Sequence, residues 1–151
     1  MTSTSATDTL PIPSVSDCRA IGIPMPDLLV SMEDALGAEM VRAFLADKAG
    51  RQYSVRRTKT TAGRPHHEVS EWLRTEIGWG TILIPMGPAN RSVRLRWAIY
   101  SQFRDGQSSS QIARSIGCHI RTVTRNKKEL ARRGLLIDTE FTTKDPQDDR
   151  Q

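Results

Sequence analysis

Aromatic side chains are scarce in this chain of 151 residues, at 5%, beside 37% hydrophobic residues overall. That supply is thin for one large core and adequate for small helical units. There are two cysteines, Cys18 and Cys118. Two thiols build neither a disulfide framework nor a four-thiolate zinc site. No stretch approaches the roughly 18 apolar residues of a membrane span. The opening residues, Met-Thr-Ser-Thr-Ser-Ala-Thr-Asp, lack the basic stretch and apolar core of a secretory signal. Composition therefore argues against a membrane protein, a stapled secreted fold and a zinc finger. The expectation is a cytoplasmic protein without metal or cofactor.

Acidic residues are missing from one region in particular. The net charge is +5. Residues 1–90 hold nine Lys/Arg and ten Asp/Glu, and residues 135–151 hold two and five. Residues 91–134 hold eleven Lys/Arg against only Asp105 and Glu129. Charge so concentrated points to a polyanionic partner, nucleic acid first.

The pattern along the chain predicts a mainly α fold with a short β element. Residues 1–25, rich in Pro, Ser and Thr, read as a disordered tail. Asp27 can cap a helix carrying Leu28, Leu29, Met32 and Leu36, which Gly37 ends. A second helix starts near Glu39, with Val41, Phe44 and Leu45 on one side and Gly50 as its stop. Residues 52–55 read as a strand and 56–65 as a polar loop. A third helix spans about His67–Glu76, with Val69, Trp72 and Leu73 facing inward. Residues 81–84 are the clearest strand, closed by Pro85. Val41, Phe44, Leu45 and Gly50 recur as Val69, Trp72, Leu73 and Gly78, a faint repeat of period 28. The second strand needs a partner for its amides, either 53–55 of the same chain or its own copy in a second chain. A two-fold dimer would supply the latter. Trp72, Trp79 and Trp97 fit a core or a dimer interface better than a base-stacking platform.

Residues 92–137 read as a helix-turn-helix domain. A first helix from about Ser92 to Arg104 carries Val93, Trp97, Ile99, Tyr100 and Phe103 as its apolar stripe. Ser108 or Ser109 caps the next helix, whose inward face is Ile112, Ala113 and Ile116. Ala113 is small where helices cross closely, and Gly117 can take the positive φ of the turn. Ile120, Val123 and Leu130 anchor a third helix reaching about Arg133. Two features sit awkwardly in this pattern. Cys118-His119 stands where Ser or Thr would usually cap, and Asn126 stands where an apolar residue would pack better.

These segments resemble the Mor/C family of phage transcription activators. The similarity lies in Ile77-Gly78-Trp79-Gly80-Thr81-Ile82-Leu83-Ile84-Pro85-Met86-Gly87, in its weaker upstream copy ending at Gly50–Val55, and in the pattern from Arg96 through Gly106, Ala113 and Gly117 to Val123. It covers about residues 26–130. Arg56 departs from it, standing where the upstream copy would carry proline. The resemblance implies a dimerisation domain over 26–86 and a hinge linker over 87–91. It places Gly78, Ile82, Ile84, Pro85 and Gly87 in the dimer strand and hinge. It also implies activation of a phage or prophage promoter by a bound homodimer that recruits host RNA polymerase. Residues 138–151 read as an acidic flexible tail.

The expected partner is double-stranded DNA, bound in a sequence-specific way. Arg121, Thr122, Thr124 and Arg125 would read bases, because an arginine fork matches guanine O6 and N7 and Thr can touch a thymine methyl. Phosphate contacts would come from Arg91, Arg94, Ser109, Ser110, Gln111, Lys127, Lys128, Arg132 and Arg133. Other readings remain open. One is an architectural or transposition- or packaging-associated DNA-binding protein. Another is a winged helix with a wing strand opening at 135–137. Catalysis finds little support: adjacent His66 and His67 point to different faces and chelate poorly.

Overall fold

The computed structural model describes residues 10–59 and 62–136. The expected acidic tail and the first nine residues of the expected N-terminal one lie outside them. The described residues are mainly helical, with one two-stranded antiparallel sheet. They fall into two compact units: Ile12–Asn90, and residues 91–136 with Leu10 and Pro11.

The first unit begins with a helix where a disordered tail was expected. Helix α1, Val15–Ala20, is capped by Ser14, whose Oγ accepts from the Asp17 amide at 2.9 Å. Asp17 accepts in turn from the Ser14 amide, completing a capping box. Its anchor is distant in sequence. The Glu33 carboxylate, itself buried, accepts from the amides of Val15 at 2.7 Å and Ser16 at 3.0 Å. It also accepts from Ser16 Oγ at 2.6 Å. Cys18 and Ile21 are fully buried. Burial, with the charges of Asp17 and Glu33, pushes the Cys18 thiol up to about 12, so it carries no thiolate at neutral pH.

Helix α2 is Asp27–Leu36. Pro26 is its N-cap and Asp27 its first helical residue, not its cap. Helix α3 is Ala38–Lys48 and helix α4 is His67–Ile77. Leu29 and Met32 from α2 meet Val41, Phe44 and Leu45 from α3, and Val69 and Leu73 from α4, in one core.

The sheet pairs β1, Gln52–Val55, with β2, Gly80–Leu83, placing Tyr53 opposite Ile82. The strand's partner is therefore in the same chain, which removes the backbone argument for pairing it across a dimer. Ile84 lies just past the strand, buried, and still donates its amide to the Arg51 carbonyl at 2.9 Å. Alternation sends Tyr53, Val55 and Ile82 toward the core and leaves Gln52, Ser54, Thr81 and Leu83 exposed.

The expected hinge is packed rather than free. Gly87–Ala89 forms a single 3-10 turn, with Pro88 and Ala89 buried in the first unit. Gly87 has φ +47, and a Cβ there would collide with Leu29 Cδ1. Gly78 caps α4, and Pro85, just past Ile84, is half-buried. Helix α5 starts at Arg91, directly after Asn90, and the division between the two units falls there, within residues 87–91.

Candidate nucleic-acid interface

The second unit is built from three helices. Helix α5, Arg91–Arg104, buries Ala98, Ile99 and Phe103. Helix α6, Ser109–Ile116, starts at a capping box: Ser108 Oγ accepts from the Gln111 amide at 3.2 Å, and Gln111 Oε1 from the Ser108 amide at 2.8 Å. Such a cap contributes roughly 1 kcal/mol. Ile112, Ala113 and Ile116 are buried. Gly117 takes φ 82, ψ 34, the left-handed conformation that turns the chain, and its amide and that of Cys118 both return to the Ala113 carbonyl.

Helix α7, Ile120–Arg132, follows at once. His119 is its N-cap, with Nδ1 accepting from the Arg121 amide at 3.0 Å. An imidazole nitrogen thus does the work that Ser or Thr usually does. Val123, Lys127 and Leu130, spaced four and three apart, form the buried face. The other face is polar and cationic. Arg121, Thr124, Arg125 and Lys128 line one concavity on it, and Arg132 continues the row.

Several expected site residues have other work. Lys127 is 2% exposed and holds its ammonium 5.3 Å from the Phe103 ring centroid, so it faces the core and not a phosphate. Arg94 is half-buried and donates Nε to the Leu10 carbonyl at 3.0 Å. The Ser109 side chain is buried, while Ser110 and Gln111 are exposed at the start of α6. Arg91 is exposed at the start of α5. Arg132 and Arg133 both pair with Glu129, Arg133 at 2.7 Å. Thr122 is half-buried, off the cationic row, and its carbonyl accepts from Asn126. Ile120 is 38% exposed, whereas Val123 and Leu130 are fully buried and carry the anchoring.

The roles of two residues could not be read from the sequence. Asn126 takes the Arg96 guanidinium from α5, with Nε donating to Oδ1 at 3.2 Å. Arg114 adds an exposed cation in the last turn of α6. The two arginines beside Glu129 hold its carboxyl down at about 2, so it stays ionised and offsets part of the local positive charge.

Among the described residues no three His, Cys, Asp or Glu gather where a metal could bind, and no helix is long and apolar enough to cross a membrane. Leu135 and Leu136 are not in a strand, and the rest of the expected wing lies outside the described residues. No protein-family model, curated protein or solved structure matches the chain.

Proposed function

We propose that this chain is a sequence-specific double-stranded DNA-binding transcription regulator. Helices α6 and α7 would act as a helix-turn-helix, with α7 entering the major groove. The observation that carries the reading is the meeting of Arg121, Thr124, Arg125 and Lys128 on the solvent face of a helix whose opposite face is locked by Val123, Lys127 and Leu130. A groove-reading helix needs both properties: donors that project, and a register that cannot rotate.

Arg121 and Arg125 would read guanine edges, Thr124 would add a shorter contact, and Lys128 would neutralise phosphate. Arg91, Ser110, Gln111 and Arg114 are the exposed groups best suited to backbone contacts. Affinity would rest mainly on counterion release, so it would fall steeply with salt.

A homodimer is the second part of the proposal. Ile77, Trp79, Leu83 and Met86 are four of the five large hydrophobic residues left exposed among the described ones, and they fall within ten residues of chain. That clustering supports a self-association face in the first unit. With the intrachain sheet in place, such a face would work through these side chains. Promoter activation, a phage or prophage setting, host RNA polymerase as partner and action on the cytoplasmic nucleoid follow from the family resemblance alone.

Sequencing of DNA selected by the purified protein tests the reading. The expected outcome is an enriched site of two half-sites about one helical turn, roughly 34 Å, apart or a multiple of it. Binding without any enriched motif would replace it with an architectural role.

A further inference from the structure

The near-neutral charge of residues 1–90 hides a second division. Residues 51–67 hold Arg51, Arg56, Arg57, Lys59 and Arg64 and no Asp or Glu. Residues 12–50 and 68–90 hold four Lys/Arg against nine Asp/Glu. The first unit therefore carries a cationic segment on an otherwise acidic body.

Part of that segment shapes a pocket of about 180 Å³, lined by Tyr53, Ser54, Arg56, Arg64, Pro65 and Ser70. Arg56 and Arg64 are exposed, and no carboxylate of a described residue lies within ion-pair distance of either. Tyr53 Oη and Ser70 Oγ are hydrogen-bonded to each other at the pocket. In such a pair one hydroxyl donates to the other, and the second hydroxyl keeps its proton for an acceptor. Ser54 adds a further hydroxyl on the exposed face of β1. Two guanidinium groups and spare hydroxyl donors, with no anionic wall, suit a tetrahedral oxyanion. The volume lies below the roughly 300–1,000 Å³ typical of small-molecule sites. It fits one phosphate group rather than a nucleotide or a larger cofactor.

We infer that this pocket binds a phosphate of the nucleic-acid backbone, giving the first unit its own contact with DNA. The inference rests on the DNA-binding reading above. It assigns Arg56 and Arg64 as phosphate ligands and the Tyr53–Ser70 pair as the source of one further hydroxyl donor. The contact adds affinity without reading sequence.

The test uses the full chain, a selected duplex and anisotropy titrations over a range of salt. The double variant Arg56→Gln/Arg64→Gln is compared with Arg19→Gln, an exposed cation outside the pocket, and with Arg125→Ala. All of these positions are solvent-exposed, and thermal melts check that each variant is folded. The double variant should flatten the slope of log affinity against log salt by about 0.9, one phosphate's share. It should leave the preference for the selected site unchanged, and Arg19→Gln should change neither. An unchanged slope in the double variant, with Arg125→Ala still losing selectivity, would overturn the pocket while leaving the DNA reading intact. If Arg125→Ala also has no effect, it is the DNA reading that fails, and the inference falls with it. Titration with inorganic phosphate separates the remaining source. Saturable shifts of the Ser54 and Ser70 amide resonances, absent in the double variant and paired with an unchanged DNA slope, would assign the pocket to a free anion and overturn the backbone contact.

Discussion

Arg96 Nε donates to Asn126 Oδ1 over 3.2 Å, joining α5 to α7 through a half-buried polar bond. Asn126 Nδ2 also donates to the Thr122 carbonyl at 2.8 Å, which fixes the amide's orientation. The polar residue that looked misplaced in the sequence therefore sets how α7 sits on α5. Asn126→Leu should destabilise the chain by about 1–3 kcal/mol, because it strands a half-buried guanidinium. Adding Arg96→Met should recover much of that loss. Urea unfolding of both single variants and the double variant measures the coupling, and strictly additive losses would show that the bond contributes nothing.

Lys127 and Lys128 are neighbours with opposite surroundings, one against Phe103 and one in the exposed concavity. Lys128→Met should weaken binding to all sequences alike and flatten the salt slope by about 0.9. Lys127→Met should leave the slope unchanged and alter stability by no more than about 2 kcal/mol, the scale of a desolvated cation–π contact. Arg125→Ala should instead cost about 1–3 kcal/mol on the selected site and relax one base position. Parallel titrations on cognate and scrambled duplexes separate the three behaviours.

What could be read ahead of the structure was what depends on local spacing. The apolar period placed α2, α4 and the helices around Gly117 to within a residue or two, since burial at i, i+3, i+4 is a local pattern. Helix α1 was missed although Ser14-Val-Ser-Asp17 is a capping-box signal, because its surroundings are proline-rich. Its stabilising partner, Glu33, lies in another helix, and no local pattern reveals that. Lys127 was misjudged for the opposite reason. Its spacing from Val123 and Leu130 already put it on the buried face, but its residue type suggested a phosphate. The pocket at Arg56 and Arg64 was invisible because it joins a strand, a loop and a helix.

His119 is an unusual cap, and its contribution can be measured. His119→Ala should remove the acceptor of the Arg121 amide and cost about 1 kcal/mol, within the range of lost N-caps. His119→Ser should restore most of it, since a hydroxyl at that position can reach the same turn. Thermal unfolding of the two variants decides the matter; equal losses would mean that the ring's packing, and not its nitrogen, is what counts.

Glu129 links stability to acid. Its folded value, about 2, lies below the ordinary 4.5. A carboxyl held down in this way favours the folded state while it is ionised. The contribution is therefore complete above about pH 5 and drains away between 4.5 and 2 as the group takes a proton. Glu129→Gln should remove this part of the acid limb of a stability–pH curve. At neutral pH it should also release Arg132, steepening the salt dependence of DNA binding by up to one phosphate contact. A variant with an unchanged acid limb would show that the pair is fully screened by solvent.

Trp79 and Leu83 are each 65% exposed, and Arg57 lies over the Trp79 ring at 5.5 Å. Leu83 sits opposite Gln52 on the exposed face of the sheet, where it supports no core. Leu83→Lys should therefore leave the fold unchanged and act only on association. Burying a leucine is worth about 1.5–3 kcal/mol, so losing one from each protomer should weaken a dimer by at least about tenfold. Sedimentation of wild type and variant across a concentration series measures that shift. Loss of dimer should also lower affinity for a paired half-site far more than for a single one, because each half then binds alone. A wild-type chain that sediments as a monomer at micromolar concentration would remove the dimer from the proposal and leave the exposed face to a different protein partner.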